Sequence, residues 1–292
     1  MPVAHKTRLQ IVAGDIARAI SELPSAVFTH AQIGELLERN REAWHLGQIT
    51  LAQFIELLIE GGSLQVNRLG FPSRPISRYS WGKASIYDLA QSVNEKGYFS
   101  HYTAMALHGL TMQIPKIVYF NIEQNLRPGG SNLSQEGITR AFKGKCRISS
   151  NIAKYGDRSI CLLNGANTDQ LGVSTLKSPE TSAKLRVGSI ERTLIDATVR
   201  PAYSGGIQEV LNAFASAKDK VSINKLVSYL NKIGYGYPYH QAIGFYMARA
   251  GYRESQLSLL RKKEIKFDFY LDYGLKVVDY DSNWRIFFPK GL

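Results

Sequence analysis

The string Glu264-Ile265-Lys266 sets a carboxylate two positions before an ammonium, the carboxylate-x-lysine half of a metal-dependent nuclease centre whose cation needs acidic ligands. Such a centre also needs a carboxylate on a preceding strand or turn. The nearest acidic residue upstream, Glu254, falls in or beside a helix cap, so the string reads as the start of a strand with a solvated face. The histidines, His5, His30, His45, His101, His108 and His240, show neither the His-Glu-x-x-His spacing nor pairing with cysteine. Cys146 and Cys161 lack the doublet spacing of a zinc site and read as reduced residues in strands. The Gly-rich stretch Pro128–Asn132 lacks the Lys-Ser/Thr ending of a phosphate loop and reads as a turn, and no Gly-x-Ser-x-Gly elbow is present. The expectation is a protein without metal or cofactor that is not an enzyme, with a nuclease using Glu264 and Lys266 as the alternative.

Charge points elsewhere. A net charge of +12 and a pI near 9.6 create a field that attracts a polyanion or an acidic partner, and nucleic acid is the simplest candidate. The excess is spread along the chain: residues 1–83 hold 9 basic against 7 acidic side chains, 84–184 hold 11 against 7, and 185–292 hold 16 against 10. Two runs stand out as a second basic surface, Arg140, Lys143, Lys145 and Arg147, and Arg261, Lys262 and Lys263 with Lys266 nearby. Each either solvates a helix end, where cations offset the dipole, or offers a surface to DNA or RNA. The tyrosines Tyr235, Tyr237, Tyr239 and Tyr246 could stack on bases, although packing a loop onto a sheet is the commoner use.

These groups need elements to hold them. Leu9, Ile11, Val12, Ile16, Ala19, Ile20 and Leu23 recur at helical spacing from Thr7 until Pro24 closes the pattern. Thr29 opens a second helix to about Arg39 and, after a polar connection from Asn40 to Gln48, Thr50 opens a third to Glu60, ending at Gly61-Gly62. Alternation over Ser63–Leu69 and Ile76–Trp81 across a Gly/Pro turn then gives a hairpin. Three helices and a hairpin, in that order, are those of a winged helix-turn-helix, whose third helix enters the major groove while the hairpin touches the flanking backbone. A small α+β lobe that binds protein has the same order. Arg39 and Arg41 before the third helix and Arg68, Arg74 and Arg78 on the wing suit phosphate contacts, which position without reading sequence. Base readout would fall to Gln48, Thr50 and Gln53, although Glu56 and Glu60 on the same helix repel phosphate.

After a boundary near Lys83 come two helices within 84–110, the second opened by Ser100. Strands are expected at Lys116–Glu123, Cys146–Ser149 and Ser159–Leu163, with a helix from Ser134 to Phe142. Helices follow at 189–199, 205–217, 222–233, 239–250 and 255–262, then aromatic strands at 266–273 and 284–288. The fold class is α+β: a winged helix-turn-helix over 1–83 and a larger mixed α/β domain over 84–292, with a possible internal break near 185. The first residues lack the apolar run of a signal peptide and no later stretch is long and apolar enough to span a bilayer, so a cytoplasmic protein with no membrane partner is expected.

Four strings, Phe99–Thr111, Val187–Pro201 with Gly205-Gly206 behind it, Gly236–Gly251, and Phe267–Leu271 with Trp284–Pro289, together resemble the AbiEi-type antitoxins of abortive-infection, or type IV, toxin–antitoxin systems. The second is the most specific: a helix opened by Ser189, with Glu191 in its first turn and Arg192 and Asp196 one turn apart as an ion pair. The resemblance covers most of the chain from about residue 90. It implies a winged helix that binds inverted repeats of double-stranded operator DNA in the operon's own promoter, repressing transcription, and a C-terminal antitoxin domain acting in phage defence. The implied partner is a nucleotidyltransferase-like toxin, opposed without a stable complex. A scaffold that neutralises the toxin by contact remains a further alternative.

Overall fold

The computed structural model describes residues 8–23, 25–125 and 133–292. The turn expected at Pro128–Asn132, the start of the first helix at Thr7 and its closing Pro24 lie outside the described residues. The chain is a mixed α+β protein and divides into two compact units, one of Met1–Glu95, Asn151–Ile160 and Lys177–Leu185, the other of Lys96–Ser150, Cys161–Leu176 and Arg186–Leu292.

In the first unit a helical turn at 8–11 leads into α1 (Ala13–Ser21), which buries Ile16 and Ile20. A short strand β1 (Val27–Phe28) precedes α2 (His30–Asn40) and α3 (Leu51–Glu60). Both of these helices begin with a capping box: the Thr29 and Thr50 hydroxyls accept from the backbone N–H groups of Gln32 and Gln53, whose side-chain oxygens accept in return. The connection between α2 and α3 is not simply polar. Trp44, Leu46 and Ile49 are buried in the core, and Trp44 stacks on Phe54 with ring centroids 6.2 Å apart. Strands β2 (Leu64–Leu69) and β3 (Ile76–Trp81) pair antiparallel, with β1 on the far side of β3. The unit continues past Lys83 into α4 (Ile86–Gln91), capped by Ser85. Side chains tie in its two later segments: the Tyr155 hydroxyl donates to Asn67 Oδ1 at 3.0 Å, and Arg158 reaches Glu180 at 2.8 Å and the Tyr87 hydroxyl at 3.1 Å.

The second unit holds β4 (Tyr98–Phe99), α5 (His101–Leu107), β5 (Ile117–Gln124) and α6 (Gln135–Lys143). The strand β6 (Ile152–Tyr155) pairs with the start of β7 (Arg158–Ala166) inside the first unit, and the rest of β7 runs on in the second. With β8 (Val173–Lys177) and β9 (Lys184–Gly188) the order continues β7-β5-β4-β9-β8, β4 lying antiparallel to β5 and parallel to β9. Next come α7 (Ile190–Val199), a 3-10 turn Pro201–Tyr203, α8 (Ile207–Ala217), α9 (Ile223–Ile233), α10 (Tyr239–Arg249) and α11 (Glu254–Arg261). The chain ends in β10 (Phe269–Tyr270), β11 (Val278–Asp281) and β12 (Ile286–Pro289), arranged β10-β12-β11. Ser189 caps α7, which is buried from Glu191 to Thr198 and packs against α5, α8, α9 and α10.

Several expectations need correction. Cys146–Ser149 is not a strand: the Ser149 N–H donates to the Tyr203 hydroxyl at 2.7 Å and its own hydroxyl to the Leu162 carbonyl at 2.8 Å, so side chains rather than a ladder hold this segment. The strand expected over 266–273 shrinks to Phe269–Tyr270. Ser100 occupies the N-cap position of α5 but makes no cap bond, its hydroxyl pairing instead with His101 Nδ1 at 2.9 Å. The helix expected from 205 starts at Ile207, because Gly205 and Gly206 both have positive φ, 81° and 90°.

The aromatic end of the chain is seated on α10. Gln241 Nε2 donates to the carbonyls of Phe267 and Trp284, each at 2.8 Å, and the Trp284 ring lies flat against Gly244, where an added Cβ would come within 2.2 Å of it. Trp284 is 1% exposed and cannot swing away. Gly244→Ala is therefore expected to cost about 1–3 kcal/mol in urea unfolding through overpacking, with a changed near-ultraviolet signal from Trp284. Unchanged stability would show that the ring is free to move.

Candidate functional site

The first unit presents the expected DNA-facing residues unequally. Arg39, Arg68 and Arg74 are exposed and make no hydrogen bond or ion pair among the described residues, and Gln48 is exposed in the turn before α3. Thr50 and Gln53 are exposed too, but the Thr50 hydroxyl and Gln53 Oε1 are used in the cap, leaving Gln53 Nε2 without an acceptor among the described residues. Arg41 is tied down: Nη1 donates to the Gly47 and Ile49 carbonyls at 2.7 and 2.9 Å, and the guanidinium pairs with Glu38, which draws that carboxyl below the usual range. Arg78 is likewise occupied. Nε and Nη2 donate to the Ser92 carbonyl at the end of α4, Nη1 donates to that of Ser77, and burial together with the nearby Arg74 charge lowers its pKa. These two arginines fix the turn before α3 and the end of α4.

In the second unit Arg140, Lys143, Lys145 and Arg147 are all exposed, at the end of α6 and along the segment after it. Arg261 pairs with Glu254 and lies 4.9 Å over the Trp284 ring, while Lys262 follows as the cap of α11. Glu264 and Lys266 are exposed in coil ahead of β10. Among the described residues no three His, Cys, Asp or Glu side chains are grouped as a metal would need.

A second feature, not anticipated as a site, is a cavity of about 770 Å³ within the second unit. The α5 start, β5, the end of β7, α7 and the segment joining α9 to α10 converge on it. Its floor is an ion network centred on Arg192, 4% exposed. Nε donates to Asp196 Oδ1 at 2.9 Å, Nη1 to Thr168 Oγ1 at 2.9 Å and the Leu171 carbonyl at 2.7 Å, and Nη2 to the Tyr98 hydroxyl at 2.7 Å, with Glu123 at 3.7 Å. Burial opposes the Arg192 charge, yet Asp196 and the surrounding hydroxyls raise its pKa. Burial would raise Glu123 as well, but the Thr168 hydroxyl, the N–H groups of Thr168 and Gln170, and Arg192 together lower it. Both groups are held charged.

His101 lines the same cavity with a left-handed backbone, φ 51°, edge-on to Tyr203 at 5.4 Å. Burial pushes its imidazole down to about 4, so it is neutral near pH 7. The tyrosine cluster divides: Tyr235, Tyr237 and Tyr239 line the cavity, whereas Tyr246 is fully buried and stacked on Phe214 at 5.3 Å. Sequence reasoning named Arg192, Asp196 and these tyrosines separately; only the tertiary fold brings them together with His101.

Two outcomes follow. Arg192→Leu leaves Glu123 and Asp196 buried without their counter-charge and is expected to cost about 3–5 kcal/mol in denaturant unfolding; a cost under about 1 kcal/mol would show that water already screens the network. Because the folded-state pKa of His101 lies below its ordinary 6.5, the unfolded chain binds the extra proton, and stability falls as pH drops from about 6.5 towards 4. His108 and His240 are also lowered by burial and add to that slope. His101→Asn, which tolerates the left-handed backbone, should flatten it, and a melting temperature with the same pH dependence as the unmutated chain would refute the assignment.

No family model matches the chain, and no curated protein matches it. Among solved structures, the crystal structure of the RV2827C protein from Mycobacterium tuberculosis is similar, with a TM-score of 0.59 and 14% sequence identity over 94% of this chain and 90% of that chain. At that identity the likeness is one of fold alone.

Proposed function

We propose that this chain is a DNA-binding autorepressor that also serves as the antitoxin of a type IV toxin–antitoxin operon, acting in the cytoplasm on its own promoter. In this reading α1 to β3 form a winged helix-turn-helix. One observation carries it: the β2–β3 hairpin exposes Arg68 and Arg74, which have no hydrogen bond or ion pair among the described residues, while α3, packed on β2, exposes Gln53 in its first turn and Gln48 is exposed in the turn before it. Cations on the wing would neutralise phosphates, and Gln53 Nε2 is a spare donor for a base edge. Glu56 and Glu60 lie farther along α3, so the helix would enter the groove by its first turn.

The antitoxin part rests on the four strings that resemble AbiEi-type antitoxins. They form α5, α7, α10 and the closing strands, and three of them contribute side chains to one cavity, His101 from the first, Arg192, Asp196 and Arg200 from the second, Tyr237 and Tyr239 at the start of the third. The functional partner in this reading is a nucleotidyltransferase-like toxin opposed without a stable complex. Among the described residues no helix is long and apolar enough to cross a membrane.

The test is binding of the purified chain to its own upstream DNA, against scrambled DNA of equal length, across a salt series. Preference for the upstream DNA is expected, with a log–log salt slope implying roughly four or more neutralised phosphates. Arg68→Ala and Arg74→Ala should each weaken binding and reduce that slope by about one, and Gln53→Ala should cut the preference for upstream DNA. Equal, weak binding to both DNAs would overturn the repressor reading, and stable co-purification with a co-expressed toxin would replace it with a contact scaffold.

A further inference from the structure

The cavity of the second unit holds polar groups that the fold does not use. Arg192 commits four of its five N–H groups to the floor, and its charge is met there by Asp196 and Glu123. Arg200, at the end of α7, is different. Nη1 donates to the Cys146 thiol at 3.1 Å and the guanidinium lies 5.8 Å from the centre of the Tyr273 ring, but among the described residues it has no carboxylate within ion-pair distance and no hydrogen bond from Nε or Nη2. A half-buried guanidinium that lines a cavity and has no carboxylate against it is a ready receptor for an anion. Arg147, exposed at the rim of the same cavity, adds a second cation.

Two buried groups on the same walls point to a ligand with further polar atoms, a donor for Asp196 and a partner of either sense for His101. Asp196 is 7% exposed and accepts from Arg192 through Oδ1, leaving Oδ2 without a hydrogen bond among the described residues. His101 is 9% exposed and pairs with Ser100 through Nδ1, leaving Nε2 likewise without one. Between them lies aromatic surface. Tyr203 stands edge-on to His101, Tyr235 and Tyr239 meet at 5.2 Å, and the Tyr235 hydroxyl makes no hydrogen bond among the described residues. A phosphate alone would use the cations and waste the rings, the free carboxylate oxygen and the imidazole.

We propose that this cavity binds a nucleoside monophosphate. Its phosphate sits on Arg200 and Arg147, its hydroxyls or amino group donate to Asp196 Oδ2, and its base packs among the tyrosine rings. A volume of about 770 Å³ suits such a ligand, and base–aromatic stacking together with a guanidinium–phosphate pair is the chemistry that recognises it. The proposal does not depend on the repressor reading, since every group it uses belongs to the second unit.

Isothermal titration of the full chain with each of the four ribonucleoside 5′-monophosphates, their parent nucleosides and inorganic phosphate tests it. The expected result is one site per chain, with at least one nucleotide binding about tenfold or more tightly than either its nucleoside or inorganic phosphate. Arg200→Gln should bring that nucleotide down to the affinity of its nucleoside. Ala166→Trp, a substitution at an exposed residue on the rim, should block the cavity and abolish binding, and a thermal melt of each variant confirms that it is folded. Absence of binding by all four nucleotides at millimolar concentration, inorganic phosphate binding as tightly as any of them, or binding that survives Ala166→Trp would each overturn the proposal.

Discussion

The second unit depends on one buried cation. The Arg192 guanidinium sits where α7 enters the core, and its fork reaches three separate parts of the chain: the 168–171 loop, β4 through Tyr98, and the next turn of its own helix through Asp196. A guanidinium there is costly to desolvate, and its cost is offset only because its donors meet oxygens in fixed directions. The neighbouring segments are accordingly held to narrow tolerances. A Cβ at Gly172 would come within 3.0 Å of the Arg192 side chain, and one at Gly165 within 2.7 Å of the Asn121 amide that supports Tyr98. Alternating polar and apolar requirements of this kind explain why α7 can be buried on nearly every side and still carry Glu191, Arg192 and Asp196.

The parts of the fold with local causes were legible in the sequence. Thr29 and Thr50 cap their helices with Gln32 and Gln53 in reciprocal bonds, and that signal needs only four consecutive residues. The hairpin over 64–81 and the helices of the second half likewise follow from periodicity and caps. What escaped has non-local causes. β4 is two residues long and exists because β5 and β9 flank it, and Cys146–Ser149 carries strand-forming residues but is held by Tyr203 and Leu162, reached across the fold. β11 alternates Val278, Asp279, Tyr280 and Asp281, but over only four residues, and its apolar members stay exposed, so the alternation marks no buried face.

The same contrast applies to function. Arg41 and Arg78 look like phosphate ligands by position, yet Arg41 spends its donors on the Gly47 and Ile49 carbonyls and the Glu38 carboxylate and Arg78 on the Ser77 and Ser92 carbonyls, and no composition rule separates them from Arg68 or Arg74. Arg192 and Asp196 were recognisable as a pair because one helical turn separates them. His101 was not recognisable as their neighbour: its φ of 51° and its burial are produced by the tertiary fold around Ser100 and Tyr203. The cavity is therefore a property of assembly, made from residues that individually read as packing.

The first unit is built from three stretches of chain that are far apart in sequence, because Asn151–Ile160 and Lys177–Leu185 return to it long after Glu95. Its lobe is complete only when the chain has been made as far as Leu185, so the N-terminal half emerging from a ribosome lacks Tyr155 against Asn67 and the Arg158–Glu180 pair beside Tyr87. Contacts of such long sequence separation slow folding, since the intervening loop must be closed before they can form. They also make the lobe indivisible by simple truncation. A gene cut after the first hundred codons would encode a fragment with part of its own packing missing, and separating the two units as independent proteins requires rejoining three segments rather than choosing one boundary.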